Sequence, residues 1–480
     1  MSAVSNKAGF KLKEFLAHDF KASITVFFVA LPLCLGISLA SGAPVYSGLI
    51  AGIVGGLVVS VISGSQLSVS GPAAGLTAIC AAAIIEFKSL EIFFLAVALA
   101  GIFQVLLGVA RLGGFTHFIP SSVIKGMLAA IGIILISKQI PLIVGYDKPD
   151  FWTDQLFNVF TLEHGFGNTI DGFFKSLSLG AALVAVSALA LLLIWKKWVA
   201  RHIRFLPTSF VVVIIGAGIA FLFQQYVPHL ALQSSHYVNV PHNMFNQVKW
   251  PDINHIFNNS AIWTTAIVIC VVASLETLLS VEAIDKIDPY NRVTSQNREL
   301  VAQGTGNFIS GILGGIPITA VIVRSSANAE AGAKTRASAF LHGVWLLLVV
   351  LFVVDAVNLI PYSVLAVILI RTGYNLAKPK MFLSVYKQGR EQFLPFIVTV
   401  GAILFTNLLI GVLIGTIFSV YFLIKHTYRA GYTVNEKTDG STRHYRIELA
   451  LNVSFLNKKR FVNMLDEIPE YSAVEIIGTN

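Results

Sequence analysis

The sequence predicts an all-α polytopic membrane protein of fourteen membrane segments, arranged as two inverted repeats of seven. Three observations carry this. First, the 480 residues are 55% hydrophobic and only 12% charged, with a mean hydropathy of +0.75, where a soluble domain carries about 25% charge. Second, Lys and Arg fall almost entirely on one side of the segments. Third, two segments at matching positions of the two halves are interrupted by glycine and proline.

Taken in order, residues 8–20 place Leu12, Phe15, Leu16 and Phe20 on one helical side, an amphipathic helix lying on the membrane. The charged lead to Lys21 and the Pro32–Gly36 stretch after it do not resemble a cleavable signal peptide. Membrane segments follow near 22–41, 45–63, 67–86, 91–110, 121–145, 176–195, 206–224, 261–281, 298–313, 315–333, 337–354, 359–376, 393–408 and 410–425. Polar residues from Gln225 to Ser260, with Pro228, Pro241 and Pro251, predict an exposed linker between the seventh and eighth. With the N-terminus inside, twenty-two Lys and Arg fall on the inner side and five on the outer. This positive-inside bias places both termini in the cytoplasm. Seven is odd, so the second half enters from the opposite face, as inverted repeats do.

The tenth segment holds the most informative stretch, GGIPITAVIVRSSANAEAGAKT from Gly314 to Thr335. The β-branched run Ile318–Val323 favours an extended backbone. The small residues after Arg324 favour a closely packed helix. The stretch therefore reads as half strand and half helix, with Arg324 opening the helix near the membrane midplane. The plainer alternative is a short ordinary span whose arginine snorkels to the interface. The third segment mirrors it: Leu67 and Val69 alternate with Ser68 and Ser70, Gly71 and Pro72 break the pattern, and Ala73 opens a helix. Irregular backbone at that depth is tolerated only inside protein or along a wet cavity.

Two facing helix starts make an anion site, because each presents unpaired N–H groups and roughly half a positive charge. The candidate binding residues are Ala73, Ala74, Thr77, Arg324, Ser325 and Ser326, with backbone N–H groups of Ala73, Ala74 and Ser325 foremost. Ser68, Ser70 and Thr319 are further hydroxyl donors. Glu276, about fourteen residues into the eighth segment, is the candidate ion-coupling carboxylate, with Ser280 one turn on. The expectation is that ionised Glu276 neutralises Arg324 in the empty site and that proton uptake frees the positive charge. A purely structural Glu–Arg pair is the alternative. Gln104 and Gln139 read as interhelical hydrogen-bonding residues. Cys34, Cys80 and Cys270 lie far apart in apolar segments, and the histidines form no ligand set, so neither metal nor cofactor is expected. No nucleophile–base constellation or nucleotide loop suggests an enzyme. The +9 net charge reflects basic loops rather than nucleic-acid binding.

From about Tyr432 the composition becomes soluble. Arg443–Val453 alternates as a strand, Asn457–Ile468 reads as an amphipathic helix, and Ala473–Ile477 as a second strand. Such a βαβ beginning cannot bury a core alone, so it is expected to be incomplete or docked.

These residues resemble the SulP family of sulfate-permease-type anion transporters across nearly the whole chain. The resemblance is most specific at SVSGPAAGLT (68–77), ASLETLLSVEAIDK (273–286) and Gly315 through Arg324–Ser325 to Thr335. The family's Pro-x-Tyr-Gly-Leu-Tyr pattern is imperfect here, as Pro44-Val45-Tyr46-Ser47-Gly48-Leu49-Ile50. The resemblance implies a core domain of segments one to four and eight to eleven, a gate of five to seven and twelve to fourteen, and a homodimer. The tail resembles the start of a STAS domain. The division is thus residues 1–21 as cytoplasmic N-terminus, 22–430 as transport domain and 431–480 as incomplete STAS-like domain.

The implied function is secondary active transport of a small inorganic anion, sulfate or bicarbonate, by alternating access in a cell membrane (the inner one if bacterial). Co-transport of a proton, or of sodium, is implied through Glu276. Sodium-dependent bicarbonate members carry polar residues just before the segment-ten arginine, where this chain has Val321 and Ile322. A proton-coupled nucleobase transporter of the same fold, or a non-transporting anion sensor or scaffold, remain the alternatives.

Overall fold

A computed structural model describes residues 16–114, 120–145, 177–195, 198, 207–242, 249–252, 259–406, 408–429, 432–439, 442–449, 458–470 and 472–478. Its principal helices are α1 (Lys21–Ala40), α2 (Val45–Val54), α3 (Thr77–Phe87), α4 (Leu90–Val109), α5 (Ser121–Ile143), α6 (Leu179–Ile194), α7 (Thr208–Tyr226), α8 (Ser260–Asp285), α9 (Gln296–Ile312), α10 (Ile322–Glu330), α11 (Ala337–Phe352), α12 (Tyr362–Leu376), α13 (Arg390–Phe405) and α14 (Leu408–Arg429). Seven helical stretches among the described residues are long and apolar enough to cross a membrane, from His18–Ala40 to Leu408–Lys425. Shorter apolar helices include Leu179–Ile194 and Ala337–Phe352.

Local chemistry sets several starts. Ser89, Ser178 and Asn259 cap α4, α6 and α8 by accepting from Ile92, Ala181 and Ala261 N–H groups. Pro44, Pro207 and Pro361 stand just before α2, α7 and α12 in extended backbone, where a proline's missing donor costs nothing. Of the expected amphipathic helix, residues 8–15 lie outside the described residues, and Leu16–Phe20 form a helical turn leading into α1.

The chain divides into two compact units. The first comprises residues up to 118 and 131–378. In it, α2 runs into a π-helical turn at Gly55–Val59, a widening often met at functional sites. The glycines there permit close approach. A Cβ on Gly55 would lie 2.5 Å from the Ser70 carbonyl oxygen, and one on Gly56 would strike Gly343 of α11. The three-residue strands β1 (Ser70–Pro72) and β2 (Ile318–Ala320) pair antiparallel, with Gly71 opposite Thr319. These are shorter than the five extended residues expected, because α10 begins at Ile322 instead of Arg324.

The expected exposed linker is only partly so. Val238 and Val240 are buried, Tyr237 pairs with Pro361, and Asn358 holds both the N–H (2.7 Å) and the carbonyl (2.9 Å) of Val240. One side-chain amide thus supplies what a neighbouring strand would, and the apolar residues of the loop can pack inward.

The second unit comprises residues 119–130 and 379 onward. It contains α13 and α14 and a three-stranded sheet. Strand β3 (Tyr432–Asp439) pairs antiparallel with β4 (Thr442–Leu449), and β5 (Ala473–Gly478) lies parallel to β4 after the helix Lys458–Asp466. Strand β3 is absent from the sequence reading; β4 is described to Leu449, and residues 450–453 of the expected strand lie outside the described residues.

Candidate functional site

The site is built around the β1–β2 pair and the helices that leave it. The short strands are fixed from outside by side chains. Asn307 of α9 accepts from Ile318 N–H at 2.6 Å and donates to the Ile318 carbonyl at 3.0 Å. The Thr277 hydroxyl of α8 accepts from Ala320 N–H at 3.2 Å. Gln303 donates to the Ser70 hydroxyl at 2.7 Å. Across the pair, Val321 N–H donates to the Val69 carbonyl at 3.0 Å, and Val69 N–H donates to the Ser325 hydroxyl at 2.9 Å. Asn328 donates to the Leu67 carbonyl at 3.0 Å. The two interrupted segments are thereby one hydrogen-bonded piece.

Glu299, Gln303 and Asn307 recur at i, i+4 and i+8 on α9, all fully buried. They form a polar stripe inside an apolar bundle. Glu299 accepts from the Ser63 hydroxyl at 2.5 Å and from Gln303 at 3.0 Å. Asn307 also donates to Gln104 at 2.6 Å, and Gln104 donates to Ser274 at 3.2 Å. Gln104 therefore bonds between helices as expected. Gln139 does not: it is fully buried, and both of its amide atoms lack a partner. The sequence reading passed over the stripe; its i, i+4, i+8 spacing was the signal that could have marked it, but nothing local points to its task of anchoring β1 and β2.

The predicted residues fall as follows. Ala73 is extended, Ala74 opens a short 3-10 turn, and Thr77 begins α3 with its hydroxyl donating to the Ala74 carbonyl at 2.8 Å. All three are buried. Ser325 is not the free donor expected. Its N–H bonds the Val321 carbonyl at 3.0 Å and its hydroxyl donates to the same oxygen at 2.9 Å, because α10 has already begun. The N–H groups without an intrahelical acceptor are those of Ile322, Val323 and Arg324. Ser326 is half-buried on α10, while Ser70 and Ser325 are spent on structure. Ser68 and Thr319 keep buried hydroxyls with no partner. Ser280 is buried on α8 one turn beyond Glu276.

Arg324 is 0% exposed, the largest fully buried side chain described. None of its three guanidinium nitrogens has a hydrogen-bond partner. Its Nη1 occupies the space a Cβ on Gly71 would take. Gly71 and Thr319 are directly opposed, so the Thr319 side chain stands on the same face. The thiol of Cys34 on α1 and the imidazole of His342 on α11 lie within electrostatic reach of the guanidinium.

The expected Glu276–Arg324 pair is absent: no described ion pair joins them, and Glu276 Oε2 is buried without a partner. Glu276 instead takes a hydrogen bond from the Gly75 backbone, and a Cβ on Gly75 would sit 2.5 Å from Oε2. Each carboxylate or guanidinium thus sits over a glycine of segment three, four residues apart and on either side of the break at Pro72. His342 was missed because a lone histidine in an apolar helix carries no pattern; only the fold brings it to Arg324. Among the described residues no group of three or more His, Cys, Asp or Glu could hold a metal ion.

A buried guanidinium beside two helix starts, inside a polytopic helical fold, fits the class that comparison with known proteins defines, a secondary transporter of a small inorganic anion. The chain is a member of the sulfate permease family, whose profile matches residues 16–399. It is 27% identical over 448 residues to YvdB of Bacillus subtilis (strain 168), covering 92% of this chain and 81% of that one. It is 25% identical over 382 residues to the bicarbonate transporter BicA of Picosynechococcus, covering 78% and 63%. The transmembrane domain of a cyanobacterial BicA superposes with a TM-score of 0.68 at 21% identity, over 86% of this chain and 98% of that one. SLC26A9 does so with a TM-score of 0.74 at 19% identity, over 95% and 75%.

Proposed function

We propose that the chain carries sulfate or bicarbonate together with a proton, and that the anion sits against the starts of α3 and α10. One observation supports this above the rest: among the described residues Arg324 is a desolvated cation with no counter-ion, and only the neutral Cys34 thiol stands near it as an acceptor. A buried charge left unpaired costs several kcal/mol, roughly, unless something neutralises it, and an anion is the species that does. The N–H groups of Ala73, Ala74, Ile322 and Val323, with Ser326, Ser68 and Thr319 hydroxyls, supply the remaining donors, while the Thr77 hydroxyl is already given to the Ala74 carbonyl. The family description favours sulfate and the likeness to BicA favours bicarbonate, and the donor set suits either oxyanion.

Glu276 is the proton carrier in this reading, with Ser280 beside it. Its charge opposes an anion at the α3 start through the Gly75 turn rather than by pairing with Arg324. Protonation removes that opposition, so proton and anion enter together. Fourteen segments in two inverted repeats of seven, both termini in the cytoplasm, a homodimer and a STAS-like tail complete the proposal. The antiparallel meeting of β1 and β2 is what inverted halves would produce. The test is uptake of labelled sulfate, bicarbonate and chloride by purified protein in liposomes under imposed pH and sodium gradients. Glu276→Gln should lower pH-driven uptake. Unchanged proton-driven uptake in that variant sinks the coupling role, and no uptake of any anion by the wild type sinks the transport reading.

A further inference from the structure

The imidazole of His342 is 0% exposed in the middle of α11. Its Nδ1 lies 3.0 Å from the Ala339 carbonyl. A carbonyl only accepts, so Nδ1 carries the proton of the neutral ring and Nε2 presents a lone pair. That Nε2 is buried and has no partner. The position is enforced by packing: a Cβ on Gly56, in the π-helical turn after α2, would lie 3.1 Å from Nδ1, and the neighbouring Gly343 crosses Gly56 with backbone against backbone. Two glycines thus seat an imidazole with an open acceptor, and Gly55, next to Gly56, packs on the Ser70–Gly71 backbone that the Arg324 guanidinium covers, which brings the ring within electrostatic reach of that cation.

The elements packed on α11 bring few other titratable groups to this point. Of α1, Cys34 lies near Arg324 and, with Leu346 of α11, against Gly52. Asp19 is held at the far end by Lys334 and Thr335, close to where α11 starts, and His18 and Lys21 adjoin it. The π-helical turn and Ser60–Ile62 contribute none, Tyr46 stands at the opposite end of α2, and Asp355 of the short helix Val354–Val357 lies beyond the far end of α11, against His242. Arg324 and Cys34 are therefore the partners that matter electrostatically.

We propose that His342 is a second proton-binding group of the anion site, taking a proton on Nε2 when an anion neutralises Arg324 and releasing it when the anion leaves. The inference rests on the anion site proposed above. With the site empty, burial opposes a positive charge on the imidazole most, and the guanidinium adds to that opposition. An anion against Arg324 removes the guanidinium's share and sets a negative charge in the same buried space against the cost of burial, and a proton from bulk water completes the ring as imidazolium. The two helix starts then each have a titrating neighbour, Glu276 at α3 and His342 at α10.

Titration calorimetry of the purified full-length chain tests this, run in buffers of different ionisation enthalpy, with sulfate and separately bicarbonate as probes. The heats give protons taken up per anion bound. His342→Gln should keep anion binding at alkaline pH and lower proton uptake by up to one per anion, with His342→Asn as the second variant. Glu276→Gln, which retains the imidazole, should still take up protons. Uptake in His342→Gln or His342→Asn equal to wild type overturns the inference. So does complete loss of proton uptake in Glu276→Gln, a result that stands even where the histidine variants do not fold. Wild-type protein that binds neither anion overturns the transport reading itself, a distinct outcome.

Discussion

Replacing Arg324 by methionine should make the anion-free protein more stable and leave it unable to respond to anions. The side chain is 0% exposed and its three nitrogens are unpartnered. A charged residue at a membrane helix centre costs about 2.5–3.5 kcal/mol on insertion scales. Replacing buried ionic groups by apolar ones of similar size commonly gains about 1–4 kcal/mol. Methionine reproduces the stem as far as Nε without donors and leaves the space over Gly71 empty, which offsets part of the gain, so a net gain of about 2 kcal/mol is expected. Wild-type protein should recover a similar amount from ligand alone, about 2.7 kcal/mol at an anion concentration one hundred times Kd. The variant should therefore start near where saturated wild type ends. Thermal unfolding in detergent, with and without sulfate or bicarbonate, reads both quantities. An Arg324→Met protein less stable than anion-free wild type, and still stabilised by the anion, would refute the reasoning.

Other perturbations follow the same geometry. Gly75→Ala places a methyl 2.5 Å from Glu276 Oε2; overpacking of about 1–3 kcal/mol should displace the carboxylate and reduce pH-driven uptake by about tenfold, while uptake equal to wild type would count against Glu276 as carrier. Asn307→Leu removes both bonds to Ile318 and the one to Gln104, and at about 1 kcal/mol each the unfolding midpoint should fall and uptake be lost together. Asp288 lies beyond the end of α8. Burial alone would push its carboxyl up, but Arg292 at 2.7 Å and Tyr290 N–H at 2.9 Å hold it below the ordinary aspartate value. Its contribution is therefore complete above the unfolded-state value and is lost as pH falls through the lower folded one. Asp288→Asn should thus be less stable than wild type at pH 7, with the gap closing in acid; a gap that widens in acid would contradict this.

Much of the fold was legible because hydrophobic length and punctuation are local signals. Most of the helices start and stop within a few residues of the segments read from hydropathy; α2 gives way early to the π-helical turn, and α3 and α10 begin seven to ten residues into their segments because the stretches before them are extended or irregular. Both interruptions, at Gly71–Pro72 and at Pro317–Val321, are where glycine, proline and β-branched residues put them. The onset of α10 was misplaced by two residues. The cause is long-range: Val321 N–H is claimed by Val69, which lets the next residues turn helical early. The site was legible in its residue types and not in its pairings. Glu276 and Arg324 were each found, yet nothing local distinguishes a carboxylate that meets arginine from one that meets a Gly75 N–H. His342 and the α9 stripe needed tertiary contacts to acquire meaning. Strand β3 was hidden because YTVNEKTD is charged enough to read as a surface loop.

The cross-stitching of β1 to β2 has a mechanical corollary. Three residue pairs, the Ser325–Val69 bond and the Asn328–Leu67 bond span the two segments, so their helix starts cannot part without breaking that seam. A cysteine pair introduced across it, such as one at Ser70 and Ala320, would therefore leave a working carrier's turnover intact, whereas a cradle that opened like jaws would be frozen by it.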